Sequence, residues 1–160
     1  MALAVVALLT SASVAAPAGR IVVSGSASGS HLRLSTDGAS ILVAGAMAGA
    51  PPRGCRFTHG HNAAVCPLAG ATAIELNMGD EGDFVEVLDR MPFPLTVHLG
   101  SGEDKFIGNG EKDLCYPEGS RRNRCVGGGG DDVCITGSRN SDCVGGPGND
   151  TVDGGGSRNK

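Results

Sequence analysis

Apolar and polar positions alternate in short runs along the first half of the chain. Glycine, serine, alanine and proline separate these runs, and the sequence S-T-D-G at 35–38 is typical of a turn. No segment keeps the 3.6-residue period of a helix over a useful length. The pattern therefore predicts an all-β protein. The predicted strands of this half are Arg20–Ser24, His31–Ser35, Ser40–Ala44 and Ala71–Asn77.

A nine-residue period replaces this pattern from Asn77 onward. After one longer step of 21 residues, a small polar or acidic residue recurs every nine or ten residues, at Asp83, Asp104, Asp113, Asn123, Asp132, Ser141 and Asp150. Two residues after each of them comes a side chain that can be buried: Val85, Phe106, Cys115, Cys125, Cys134, Cys143 and Val152. This regularity indicates stacked units that bury a face only against their neighbours.

Two of these units are nearly identical. The segments 127–135 and 145–153 both read G-G-x-G-x-D-x-U-x, where U is a residue that can be buried. The nonapeptide is typical of calcium-binding parallel β-rolls, in which two nonapeptides make one coil. Their offset of 18 residues predicts that Asp132 and Asp150 lie above one another, with Asp113 at the same edge. The opposite edge is predicted to hold Asp83, Asp104, Asn123 and Ser141.

These edges have the chemistry of a Ca²⁺ site. Calcium takes six to eight oxygen ligands at roughly 2.3–2.6 Å, and parallel strands stack about 4.8 Å apart, so turns on successive coils can hold an ion between them. Glycine lets the turns direct their carbonyls inward, and aspartate supplies the charge. Weaker binding is expected at the opposite edge, where Asn and Ser replace Asp. The predicted ligand residues are Gly127, Gly129, Asp132, Gly145, Pro147, Asp150, Asp113, Asp104 and Asp83.

The chain from about Asn77 to Gly156 resembles the secreted bacterial hemolysin-type (RTX) calcium-binding repeat proteins. Upstream, Gly54-Cys55 and Val65-Cys66-Pro67 resemble the leader region of the short actinobacterial proteins of this type. The resemblance implies a parallel β-roll, or β-solenoid, of nine-residue repeats at 77–160, folding coupled to calcium, and an extracellular location. Residues 19–76 then form an irregular N-terminal β cap. Three departures leave the number of ions open: only two copies of the nonapeptide are complete, Asn123 and Ser141 replace aspartate, and cysteines occupy inward positions usually given to Leu or Val.

The composition predicts a weak hydrophobic core that needs cross-links. The 160 residues include 27 glycines and no tryptophan, and only 3% are aromatic. Six cysteines can supply three disulfides, of which Cys55–Cys66 closes a short loop. For the others, the duplicated units favour the pairs Cys115–Cys125 and Cys134–Cys143. Pairing between stacked coils, Cys115–Cys134 and Cys125–Cys143, also fits the distance that a disulfide spans.

The N-terminal residues 1–18 have the pattern of a signal peptide. A short apolar run is followed by small residues of the A-x-A type, and the run is too short to cross a bilayer. No later segment is apolar enough to span a membrane, so a secreted protein is predicted. Of the 17 acidic residues only Asp37 precedes Glu75, and no basic stripe interleaved with aromatic residues supports nucleic-acid binding.

The sequence predicts a binding protein rather than an enzyme. It contains neither the H-E-x-x-H motif of zinc proteases nor the G-x-S-x-G motif of serine hydrolases. We expect a monomer that binds calcium. Two alternatives stay open. One is a calcium-independent β-solenoid held by disulfides. The other is an interaction module for an unknown extracellular or cell-surface partner, which contacts either the flat repetitive face or the cluster of Arg121, Arg122, Arg124 and Arg139.

Overall fold

The computed structural model describes residues 19–26, 28–58, 62–119, 121–136, 141–154 and 158–159. The predicted signal peptide at 1–18 lies outside these ranges. Within them the chain forms strands and no helix, which confirms the all-β prediction. Accordingly, no helix in the described part is long and apolar enough to cross a membrane.

The described strands follow one another with short connections. In chain order they are β1 (Gly19–Ser24), β2 (His31–Thr36), β3 (Ser40–Ala44), β4 (Arg56–Thr58), β5 (Ala63–Pro67), β6 (Ala71–Asn77), β7 (Phe84–Val87), β8 (Leu95–His98), β9 (Lys105–Ile107), β10 (Asp113–Tyr116), β11 (Arg124–Val126), β12 (Val133–Thr136), β13 (Asp142–Val144), β14 (Thr151–Gly154) and β15 (Arg158–Asn159). The four strands predicted in the first half correspond to β1, β2, β3 and β6. Strands β4 and β5 were not predicted, because β4 has only three residues and β5 buries two adjacent side chains rather than alternate ones.

The strands form two sheets. The first has the order β1-β6-β8-β10-β12-β14, and all of its neighbouring strands are parallel. The second has the order β15-β13-β11-β9-β7-β2-β3-β5-β4 and is parallel as far as β2, after which β3, β5 and β4 are antiparallel. From β6 onward, successive strands alternate between the two sheets. The sheets do not close on each other: one ends at β1 and β14, the other at β15 and β4.

The core lies between the sheets and consists of side chains stacked in register. The inward column of the first sheet contains Leu76, Val97, Cys115, Cys134 and Val152. The inward column of the second contains Leu32, Val85, Phe106, Cys125 and Cys143. Apart from the partly buried Val152, all of these side chains are buried. Only one of them is aromatic, so the core is thin, as the composition predicts.

Three disulfides supplement this core. The structure pairs Cys115 with Cys125 and Cys134 with Cys143, with Cα–Cα distances of 6.4 and 6.3 Å. Each of these bonds joins a strand of the first sheet to a strand of the second. The third disulfide, Cys55–Cys66, lies in the antiparallel part of the second sheet, where β4 pairs with β5. The pairing is therefore the one within each duplicated unit, and the pairs between stacked coils are not formed.

Candidate metal centre

Three aspartates stack where the chain enters successive strands of the first sheet. We call Asp113, Asp132 and Asp150 the first column. The backbone N–H of Asp113 donates a hydrogen bond of 2.8 Å to Oδ1 of Asp132, and the N–H of Asp132 donates one of 3.0 Å to Oδ1 of Asp150. Asp113 and Asp132 are buried, while Asp150 is partly exposed. The carboxylates of Asp132 and Asp150 thus each accept a hydrogen bond from the backbone of the preceding aspartate, and the three aspartates stack as the sequence predicts.

A second column lies where the chain enters strands of the second sheet. It consists of Asp83, Asp104, Asn123 and Ser141, all of which are buried. Asp83 N–H donates to Oδ1 of Asp104, and Asp104 N–H donates to Oδ1 of Asn123, both at 2.9 Å. Below them, the N–H of Ser30 donates to Oδ1 of Asp83 at 2.6 Å. Because Ser30 lies outside the repeat in the sequence, the sequence pattern did not reveal this lower end of the column.

Each buried aspartate keeps one carboxylate oxygen without a partner. These atoms are Oδ1 of Asp113 and Oδ2 of Asp132 in the first column, and Oδ2 of Asp83 and of Asp104 in the second. A buried polar atom without a hydrogen bond costs about 1–3 kcal/mol, and more when it is charged. The carboxylates also repel each other, by roughly 3 kcal/mol for two charges about 5 Å apart at an effective dielectric of about 20. Protons or a cation are therefore needed to satisfy the buried carboxylate oxygens and to reduce the repulsion between the carboxylates.

Glycines form a cradle under the carboxylates of the first column. Each aspartate of this column is preceded, five residues earlier, by a glycine: Gly108, Gly127 and Gly145. A Cβ atom on any of these glycines would collide with the Oδ2 atom of its own aspartate. Gly108 lies outside the sequence motif, because its turn reads G-N-G rather than G-G-x-G. The spacing of five residues before each aspartate would have identified it.

The second column lacks the corresponding glycines before Asp83 and Asp104. The residues five positions before Asp83 and Asp104 are Met78 and Leu99, and both are buried in the core. Beside their turns, an open cleft of about 590 Å³ lies on the surface. Asp80, Glu81, Glu103 and Arg121 are among the residues that line it, and the Oγ of Ser101 donates to Oδ1 of Asp80 at 2.5 Å. The two columns thus differ in backbone shape as well as in charge.

The other predicted ligand residues lie on turns that face each other on neighbouring coils. The carbonyl of Gly145 accepts a hydrogen bond of 2.9 Å from Gly128 N–H, and the carbonyl of Pro147 accepts one of 3.0 Å from Gly130 N–H. Since a carbonyl oxygen has two lone pairs, each keeps acceptor capacity. Gly128 and Gly130 have φ of 111°, a conformation that L side chains rarely adopt. Gly127 and Gly129 occupy the same turn as Asp132, so the structure brings all of these residues together.

Burial changes the protonation of both columns. Burial, followed by the charge of Asp132, raises the pKa of Asp113 to about 7. Burial also raises the pKa of Asp132 to about 6, an effect that the charges of Asp150 and Asp131 reinforce and the N–H of Asp113 opposes. In the second column burial raises the pKa of Asp83 to about 6 and that of Asp104 in the same direction. Near neutral pH Asp113 is therefore partly protonated, and a divalent cation that binds there would displace the proton.

The donor set of the first column fits calcium. It consists of carboxylate and carbonyl oxygens, which hard cations such as Ca²⁺ prefer, without imidazole or thiolate. A separate group of possible ligand atoms is formed by the sulfurs of Cys125, Cys134 and Cys143, which lie within 4.8 Å of one another. All three sulfurs belong to disulfides, so the oxidised chain offers no thiolate to a soft metal.

Comparison with known proteins gave no match: no family model fits the chain, and no curated protein or solved structure is significantly similar to it. The resemblance to the RTX repeats thus rests on the residues named above.

Proposed function

We propose that the chain is a secreted, monomeric protein that binds calcium between the stacked glycine-rich turns of the first column. In this proposal the two alternating sheets are a parallel β-roll built on nine-residue repeats, and folding is coupled to the ion. The observation that carries the proposal is the pair of buried oxygens without a partner, Oδ1 of Asp113 and Oδ2 of Asp132. The function is one of binding rather than catalysis.

The residues that would hold calcium are the three aspartates of the first column and the carbonyls of the turns before them, including those of Gly127, Gly129, Gly145 and Pro147. Bound calcium would supply the positive charge that the stacked carboxylates lack. The chain itself holds the carboxylates in register through the N–H of each neighbouring aspartate. Its glycines keep side chains out of the space beside each carboxylate.

An extracellular setting is consistent with this proposal. Three disulfides join the described part of the chain, and disulfides persist outside the cell rather than in the cytosol. Extracellular calcium modules bind their ion at roughly 10⁻⁴–10⁻³ M. The partial exposure of Asp150 fits a calcium affinity in that weak range.

Calorimetric titration of the oxidised protein with calcium, followed in parallel by circular dichroism, tests the proposal. We expect heat of binding and a gain of β structure, with magnesium as the control ion. If millimolar calcium produces neither, the proposal fails and a calcium-independent scaffold held by disulfides is the better description.

Two substitutions test which column binds the ion. Asp132→Ala should weaken calcium binding more than Asp104→Ala, because Asp132 lies between two aspartates whereas Asp104 lies between Asp83 and the uncharged Asn123. Equal effects would contradict the assignment to the first column.

The interaction module is the second candidate from the sequence. Arg121, Arg122 and Arg124 are exposed, and Arg139 lies outside the described residues.

A further inference from the structure

The two disulfides of the repeat region connect the two columns. Cys115 follows Asp113 by two residues, and its partner Cys125 follows Asn123 by two residues. The same relation holds one coil further: Cys134 follows Asp132, and its partner Cys143 follows Ser141. Each bond therefore connects the strand that follows an aspartate of the first column to the strand that follows a residue of the second column. The bonded side chains are buried in the core.

These cross-links follow the two residues of the second column that have no carboxylate, Asn123 and Ser141. Where the second column has Asp83 and Asp104, the inward residues two positions later are the apolar Val85 and Phe106. Where it has Asn123 and Ser141, the inward residues are Cys125 and Cys143. A cation cannot bridge the uncharged levels strongly, because neutral oxygens give it little charge compensation. The covalent bond is present where a bound ion would contribute least.

We propose that Cys115–Cys125 and Cys134–Cys143 are positioning groups that hold the first column in its calcium-binding arrangement and so set its calcium affinity. This inference rests on the proposed function. Without the cross-links, strands β11 and β13 are held in place by backbone hydrogen bonds and packing alone. The arrangement of the first column that binds calcium is then populated for a smaller fraction of the time. The apparent dissociation constant rises in inverse proportion to that fraction.

The coupling has a reciprocal consequence. If the disulfides favour calcium binding, then calcium favours the oxidised disulfides by the same factor, because the two equilibria are linked. Reduction requires a dithiol reductant to attack one sulfur, so that the dithiol is oxidised and two protein thiols form. Bound calcium also holds the strands that carry these two bonds, so the local openings that admit the dithiol are rarer and reduction is slower.

Cys55–Cys66 provides a matched control. Both of its cysteines are buried, as are those of the other pairs, but the bond lies in the antiparallel part and joins no strand that follows a residue of either column. The variants are Cys115→Ala/Cys125→Ala, Cys134→Ala/Cys143→Ala and Cys55→Ala/Cys66→Ala. Calcium affinity is measured by calorimetry, and folding by circular dichroism.

We expect the first two variants to raise the calcium dissociation constant by about 5- to 150-fold, the usual range of coupling between two sites, and the control variant to leave it unchanged. Because a variant can fail to fold, a second measurement uses the wild-type chain. The rate of reduction of each disulfide by a dithiol is followed with and without calcium, by alkylation and mass spectrometry. Calcium should protect the two repeat disulfides more strongly than Cys55–Cys66.

Calcium binding that is equal in all folded variants, or reduction rates that calcium leaves unchanged, would overturn the inference while the proposed function stands. If the oxidised wild-type chain does not bind calcium, the proposed function fails and the inference fails with it.

Discussion

The backbone N–H of Asp113 donates a hydrogen bond of 2.8 Å to Oδ1 of Asp132, while Oδ2 of the same carboxylate is buried without a partner. One oxygen of Asp132 thus accepts a hydrogen bond from the neighbouring strand, and the other has no partner. In the proposed function the first oxygen has a structural role and the second binds calcium, and these two roles can be separated.

Asp132→Asn separates them. The amide keeps an oxygen that can accept from Asp113 but removes the charge, so the calcium-free protein should keep or gain stability while calcium affinity falls at least about tenfold, or about 1.4 kcal/mol. Asp132→Ala removes the acceptor as well and should destabilise the calcium-free protein by about 1–3 kcal/mol. Thermal unfolding in chelator and calorimetry in calcium measure the two effects. A calcium affinity that survives in Asp132→Asn would contradict the role of the charge.

The raised pKa values predict how calcium-free stability depends on pH. Since Asp113 and Asp132 have pKa values of about 7 and about 6 in the folded chain and near 3.8 when unfolded, the folded state binds more protons between these values. Stability should therefore be fully present below about pH 4 and should fall as pH rises to about 7. Calcium should oppose the fall, because it binds the deprotonated form.

Melting temperatures from pH 4 to 7.5, in chelator and in excess calcium, check this dependence. The double variant Asp113→Asn/Asp132→Asn is the control, because its amides do not titrate. Parallel profiles for the variant and the wild-type chain would show that these two carboxylates are not responsible.

Two glycines of one turn give a test of the cradle. Gly127→Ala places a methyl group against Oδ2 of Asp132 and should cost about 1–3 kcal/mol of stability, with weaker calcium binding. Gly129→Ala meets nothing closer than 3.8 Å, and Gly129 does not have a positive φ, so it should change stability by less than about 0.5 kcal/mol. Chemical unfolding of both variants measures the difference. Similar losses at the two positions would argue against close packing beneath the carboxylate.

Much of the local structure is readable from the sequence. The strands Ser40–Ala44 and Ala71–Asn77 have the bounds that their alternating pattern predicts, because buried side chains alternate with less buried ones along the first strand and along residues 73–77 of the second. Strands β4 and β5 have no such pattern, since their position depends on antiparallel pairing with each other and on Cys55–Cys66. Local patterning could not identify them.

For the candidate site, the sequence determined which residues recur and at what spacing, and this placed Asp113, Asp132 and Asp150 at one edge. Only the tertiary structure decided that Ser30 ends the second column, and that Leu95, rather than an acid, lies next to Asp113 in the first sheet. It also decided between the two disulfide pairings. The physical reason is that a sequence repeat determines which residues of neighbouring units contact each other, because these residues recur at a regular spacing along the chain. Contacts across the core depend instead on how the two sheets face each other.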